Sequence, residues 1–193
     1  MVTIVDALHT MGVREDTLSD QEKKQLDREG YLPLAGIVSA ATLEALRARI
    51  GELTVLEGAD GGKEVHREAG TDRLSDLVNK GEVFEICFTH PRVLAAVAHV
   101  LGGDLKLSSL NARAALPGEG AQALHADWAG PVAPGDSMSA TRSGCWTTSP
   151  PRMGPRGWCP AASAAAPCPR LRCPIPRAHI PTRCCCWHRR GQW

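Results

Sequence analysis

Apolar residues recur with a helical period through the first hundred residues and with an alternating period after them. Ser19-Asp-Gln-Glu22 is a capping box, in which the serine accepts from the backbone while the glutamate reaches back to it. The helix it opens is expected to run to about Glu29 and to stop at Gly30, which suits the left-handed conformation past a helix end. Tyr31-Leu-Pro-Leu34 reads as a short strand entering a turn at Gly36, and Ser39 opens a second helix with Leu43, Leu46 and Ile50 on one face. From about Glu57 to Thr71 the chain is Gly-rich and charged, which predicts a mobile loop. Val83 to Phe88 predicts a short helix and Pro91 to Leu101 a stronger one. Proline sits in the first turn of the latter, Val93, Leu94, Val97, Val100 and Leu101 form its face, and Gly102-Gly103 ends it.

Leu105, Leu107 and Ser109 then fall on one side of a strand expected to reach about Ala115, where Pro117-Gly118 closes it. Ala121 to Trp128 reads as the next strand. Helices followed by strands argue for an α+β fold or a helix-flanked β-barrel.

Composition divides the chain in two. Residues 1–136 carry 21 Asp and Glu against 13 Lys and Arg, a net charge of −8; residues 137–193 carry 9 Arg, no Lys and no acid, a net charge of +9. Seven of the eight cysteines and nine of the fourteen prolines also lie beyond Asp136. One globular domain rarely holds such an asymmetry. The expected division is therefore a folded part, 1–136, and an aberrant Cys/Arg/Pro-rich tail, 137–193, expected to be disordered because no consistent period survives in it to build a packed face. The N-terminus has neither a basic nor an apolar leader region, and no apolar run is long enough to span a membrane, so a cytoplasmic protein without a membrane partner is expected. Cys87, alone in the first part and in an apolar stretch, reads as a small buried side chain in a reduced compartment.

His125-Ala-Asp127 is the motif with chemistry in it. On a strand, residues two apart project from one face, about 7 Å apart at Cα, so an imidazole and a carboxylate can converge on one metal ion. They make two-thirds of the 2-His-1-carboxylate triad that leaves positions on iron(II) open for a keto acid and dioxygen. The bland alternative is a strand-end histidine beside a surface acid. Asn111 and Gln122 can hydrogen-bond a keto acid, or equally be solvent-facing or internally satisfied. Trp128 reads first as a packing residue, with a platform in a substrate pocket as the alternative. His66 lies in the Gly-rich loop, as a lid residue or simply solvated, while His9, His90 and His99 read as structural or exposed.

Several ordered stretches give this motif a context. They are Ser19 to Leu34 with its Gly30-Tyr31 step, Ser39 to Arg47, His90 to Ala98 with Leu101-Gly-Gly, Asn111-Ala-Arg113, Pro117-Gly118, and Gln122-Ala-Leu-His-Ala-Asp-Trp128. Together, over about 120 residues, they resemble the phytanoyl-CoA dioxygenase family of iron(II)/2-oxoglutarate dioxygenases. The resemblance implies N-terminal helices flanking a double-stranded β-helix, or jelly-roll, barrel with iron(II) in its mouth. It implies 2-oxoglutarate as co-substrate, ascorbate as reductant and a small organic molecule as the substrate hydroxylated, with no nucleic acid or membrane partner. His125 and Asp127 take the roles of first histidine and carboxylate. The family also needs a second histidine and an arginine for the far carboxylate of 2-oxoglutarate. His179 and His188 are the histidines after Asp127, and neither stands in the family's context.

The tail is expected to be this family's gene read out of frame. Ala140 to Trp146, regrouped one base earlier, becomes Cys-Asn-Ser-Ile-Trp-Met-Leu, and continuing to Ala162 gives the family-like Glu-Asn-Gly-Ala and Pro-Gly-Ser turn. Ala178 to Trp193 regroups to an alternating segment containing Asp-Glu-Val-Leu-Leu-Leu-Ala-Pro-Ala-Gly. In the restored frame the second histidine is expected just past position 193, so the chain as written is expected to be truncated and catalytically crippled. The rivals are a non-enzymatic remnant and a dioxygenase-like head bearing a Cys/Arg-rich metal- or nucleic-acid-binding tail. Against the last, Cys168-x4-Cys173 and the Cys184 triplet lack the spaced pairs of a zinc ribbon.

Overall fold

A computed structural model describes residues 2–102, 104–116, 119–120, 133, 137–145 and 181–189. Five α-helices, three short 3-10 turns (Gly58–Asp60, Leu77–Asn79 and Glu82–Phe84) and four strands make up the described elements. The helices are α1 (Ile4–Thr10), α2 (Asp20–Glu29), α3 (Ala40–Glu57), α4 (Ile86–Thr89) and α5 (Pro91–Leu101), and the strands are β1 (Thr71–Leu74), β2 (Leu105–Ala115), β3 (Ser139–Cys145) and β4 (Pro181–Arg189). The fold class is mixed, as the order of periods implied. The strands form one open antiparallel sheet in the order β1-β2-β4-β3. A closed jelly-roll barrel is not seen among the described residues.

Local chemistry sets the helix ends. Ser19 accepts from the Glu22 N–H and Glu22 returns to the Ser19 N–H at 2.9 Å, while Gly30 takes a left-handed φ of 74°. Thr3 and Asp6 form the same reciprocal box at the start of α1, a helix the periodicity did not suggest because only two turns of it exist. Ser39 caps α3, accepting from Thr42 N–H at 3.0 Å. His90 caps α5: its Nδ1 accepts from the Arg92 N–H at 3.2 Å, and Pro91 occupies the first position, where an N–H has no helical partner.

The core lies between the helices and one face of the sheet. Leu46 and Leu53 of α3, Phe84, Cys87, and Val93, Leu94, Val97 and Leu101 of α5 are buried against Leu74, Leu110 and Ala112 of the sheet. Leu43 and Ile50 are half-buried on the same stripe of α3. Helix α2 is tied to α5 near its two ends, by the ion pair of Glu22 with Arg92 and by the 2.7 Å contact between Asp27 Oδ1 and His99 Nε2. No single helix among the described residues is long and apolar enough to cross a membrane.

Four expectations need correction. Tyr31 to Leu34 is not a strand: Pro33 offers no N–H, and Leu34 instead packs on the core as part of an irregular connection. The segment before β1 is held rather than free. Gly61 and Gly62 are buried against the backbone of Arg73, and the Gly70 carbonyl accepts from the Leu116 N–H at 2.9 Å. Strand β2 does not keep one inward parity. Leu105 and Leu107 pack on the core before a register irregularity between Leu107 and Ser109, and Leu110 and Ala112 do so after it. One extra residue switches which side chains face inward.

Finally, the tail contributes two strands, β3 and β4, to the sheet, where a disordered segment was expected. A ladder needs backbone donors and acceptors rather than periodicity, and Thr182, Cys184 to Cys186 and Trp187 are residue types compatible with one.

Candidate functional site

The face of the sheet turned from the helical core carries a polar cluster. Arg73 of β1 lies directly opposite Arg113 of β2, and the neighbouring pair, Leu74 and Ala112, points the other way into the core. Like charges directly opposite each other repel. The carboxylate of Glu68 answers them both. It accepts from Arg73 Nε at 3.1 Å and from Arg73 Nη2 at 2.9 Å on each oxygen, and from Arg113 Nε at 3.4 Å. Arg113 Nη2 also donates to the carbonyl of Gly120. The three side chains are 12%, 13% and 16% exposed, so they interact in a medium of much lower polarity than water. Burial works to raise the Glu68 carboxyl, and the two guanidiniums overcome it, leaving Glu68 below the usual carboxylate range.

Asn111 stands two residues before Arg113 on the same strand and therefore on the same face. Its Oδ1 accepts from the Asp76 N–H at 3.2 Å, which fixes the orientation of the amide, and its Nδ2 donates to Ser109 Oγ at 3.4 Å. Asp76 holds a left-handed φ of 51°, and its carboxylate accepts from Asn79 Nδ2 at 2.9 and 3.0 Å. The turn after β1 is thus braced on Asn111. Among the described residues, no acceptor is placed for the second hydrogen of the Asn111 amide nitrogen.

Of the residues singled out from sequence, Asn111 is on this face, and His125, Asp127, Gln122 and Trp128 lie outside the described residues. Among the described residues, no group of three or more His, Cys, Asp and Glu side chains is placed to hold a metal ion. His66 is exposed on the loop before β1, and His9 is exposed on α1. His90 is the α5 cap, its imidazole held below the ordinary histidine value by burial and by the Arg142 and Arg92 cations, against a backbone hydrogen bond at Ile37.

Glu68 and Arg73 were missed from sequence. The local signal was weak: Arg73 alternates with Leu74, as Arg113 does with Ala112, but only strand pairing sets the two arginines opposite each other.

An α+β chain with a helical layer on one face of an antiparallel sheet and a polar, arginine-bearing opposite face is the class of protein defined so far. The family model for phytanoyl-CoA dioxygenase (PhyH) matches residues 26–147, well over half of the chain. The chain belongs to the phytanoyl-CoA dioxygenase family, whose members are dioxygenases of the iron(II)/2-oxoglutarate type. The match takes in α3, α5, β1, β2 and the His125-Ala-Asp127 motif, continues past Asp136 and stops at Thr147. No curated protein and no solved structure matches the chain.

Proposed function

We propose that this chain derives from an iron(II)/2-oxoglutarate dioxygenase that hydroxylates a small organic substrate, with His125 and Asp127 as two metal ligands inside a jelly-roll barrel. The observation that carries the reading is the place of His125-Ala-Asp127 within the family match. An imidazole nitrogen and a carboxylate oxygen suit iron(II). The polar face of β1 and β2 suits an anionic keto acid: Glu68 neutralises one of the two guanidiniums, Arg73 and Arg113, and Asn111 keeps an amide N–H. A guanidinium fork matches a carboxylate geometrically and electrostatically. In this reading Asn111 and Gln122 orient 2-oxoglutarate, and Trp128 lines the substrate pocket. Bound iron(II) and 2-oxoglutarate supply the oxidising chemistry, and the protein supplies ligands, orientation and exclusion of water.

The tail is read as the family's sequence displaced by one base near codon 137. A GC-rich gene shifted in this way turns Asp, Val and Leu codons into Arg, Cys and Trp, which accounts for the loss of every acid beyond Asp136. It also accounts for strand-forming residue types at 184–187, since Val-Leu-Leu-Leu and Cys-Cys-Cys-Trp can share the same bases. A second reading, a non-enzymatic remnant with a weak two-ligand metal site, is favoured by the lack of a matching second histidine and arginine in the tail.

The test compares the present chain with one in which a single base near codon 137 is corrected and translation continues past residue 193. Succinate released from 2-oxoglutarate in the presence of iron(II) and ascorbate is the measurement, since uncoupled turnover needs no identified substrate. The repaired chain is expected to produce succinate and to lose at least a hundredfold in His125→Ala. Equal turnover by both chains defeats the reading of the tail. No turnover by the repaired chain supports the remnant.

A further inference from the structure

We infer that Arg113 is a positioning residue for the His125-Ala-Asp127 motif: its guanidinium, oriented by Glu68, grips the Gly120 carbonyl and fixes the point from which the chain enters the motif. The inference rests on the reading that His125 and Asp127 hold the metal, and it adds a side chain outside that ligand set.

Two guanidiniums facing one carboxylate leave one net positive charge where charge is costly. The Gly120 carbonyl answers it. Arg73 turns its Nε and Nη2 to Glu68, whereas Arg113 gives Nε to Glu68 at 3.4 Å and Nη2 to the Gly120 carbonyl. Arg113 is therefore a bridge, and a hydrogen bond from a cation to a carbonyl sheltered from water is stronger than a neutral one. Glu68 is itself held, by Arg73 and through its own carbonyl, which accepts from Thr71 Oγ1 at 2.8 Å. The contacts thus run from β1 through Glu68 and Arg113 to Gly120.

Backbone contacts hold the same stretch from its other side. The Gly70 carbonyl accepts from the Leu116 N–H at 2.9 Å, and the Leu116 carbonyl accepts from the Glu119 N–H at 3.1 Å. Gly120 takes a left-handed φ of +65°, and a Cβ there would lie 2.7 Å from Thr71 Cγ2 and closer still to the Gly70 carbonyl oxygen. Gly120 is therefore pressed onto the start of β1, with its carbonyl bonded to Arg113. His125 follows five residues later and Asp127 seven. A fully extended chain carries them at most about 18 and about 25 Å from this anchor. Ligands work only when held to within about 0.5 Å of the productive geometry, and a free entry point would spread both over a much wider range.

Titration of the full, isotope-labelled chain with manganese(II) tests this through the amide NMR signals of Gly70, Thr71 and Gly120, which a paramagnetic ion on His125 broadens over that distance. In the wild type the broadening is expected to saturate with weak affinity and to vanish in His125→Ala. Arg113→Ala, its fold checked by circular dichroism, is expected to bind manganese(II) at least about fivefold more weakly. Arg113→Lys keeps a donor for the Gly120 carbonyl and is expected to stay within about twofold of the wild type. An arginine that only braces the sheet would lower the melting temperature of Arg113→Ala and leave the metal affinity of the folded chain unchanged. That result overturns the inference while the two-ligand reading stands. An Arg113→Lys chain as weak as Arg113→Ala overturns it too. If Arg113→Ala does not fold, Gly120→Ala decides, since its new methyl drives position 120 off the Gly70 carbonyl: weakened binding supports the anchor, and unchanged binding overturns it. Broadening that persists in His125→Ala, or none in the wild type, overturns the reading of the motif and the inference with it.

Discussion

Three glycine-to-alanine substitutions in this chain should change stability in different directions, although each makes the same change to the unfolded polypeptide. Gly51 lies inside α3 in an ordinary helical conformation, with nothing within 4 Å of the position a Cβ would take. Gly51→Ala should stabilise by about 0.5–1 kcal/mol through helix propensity alone. Gly36 also has open space, but its φ is +66°, so Gly36→Ala should cost about 1 kcal/mol for the left-handed backbone. Gly62 combines a φ of +67° with a Cβ position 2.5 Å from Arg73 Cβ and 3.1 Å from the Arg73 carbonyl carbon and oxygen. Backbone atoms of β1 cannot step aside as the end of a flexible side chain can. To the left-handed cost is therefore added an overpacking cost of about 1–3 kcal/mol, for a total near 3 kcal/mol. In a chain of this size each kcal/mol moves the melting temperature by about 2–4 °C, so thermal melts followed by circular dichroism resolve all three. The expected order of stability is Gly51→Ala, wild type, Gly36→Ala, Gly62→Ala. A Gly62→Ala protein as stable as Gly36→Ala would refute the claim that the segment before β1 is clamped against the strand.

Other perturbations probe the core, a cap and the metal motif. Phe84 is fully buried, so Phe84→Ala should cost about 3–5 kcal/mol in urea denaturation. His90 is held below its ordinary value of 6.5, so the unfolded chain takes up its proton first. Stability should be complete above about pH 6.5 and fall as pH drops below it through the folded value; His90→Asn, which can still cap α5, should remove that part of the slope. Manganese(II) should bind the present chain weakly by calorimetry and not at all in His125→Ala, since two protein ligands leave most of the coordination shell to water; unchanged tight binding places the metal elsewhere.

The sequence by itself determined several of the helix boundaries, because these depend on neighbours three or four residues apart. Ser19 with Glu22, Gly30, Ser39, Pro91 and Gly102 mark ends that the structure keeps. The stripe Leu43, Leu46 and Ile50, and the face Val93, Leu94, Val97 and Leu101, were legible for the same reason. The sequence also carried the family, through ordered motifs that the match over residues 26–147 supports. Strand pairing decided the rest. Nothing near Arg73 in the chain says that Arg113, forty residues on, will stand opposite it, or that Glu68 will fold back between them. The irregularity between Leu107 and Ser109 reverses which residues of β2 face inward, and strict alternation along one strand could not reveal it. Gly61 and Gly62 looked like the makings of a free loop, yet β1 passes so close that only glycine fits. Long-range backbone contacts of this kind leave no local period in the sequence, and they alone assemble the arginine face beside Asn111.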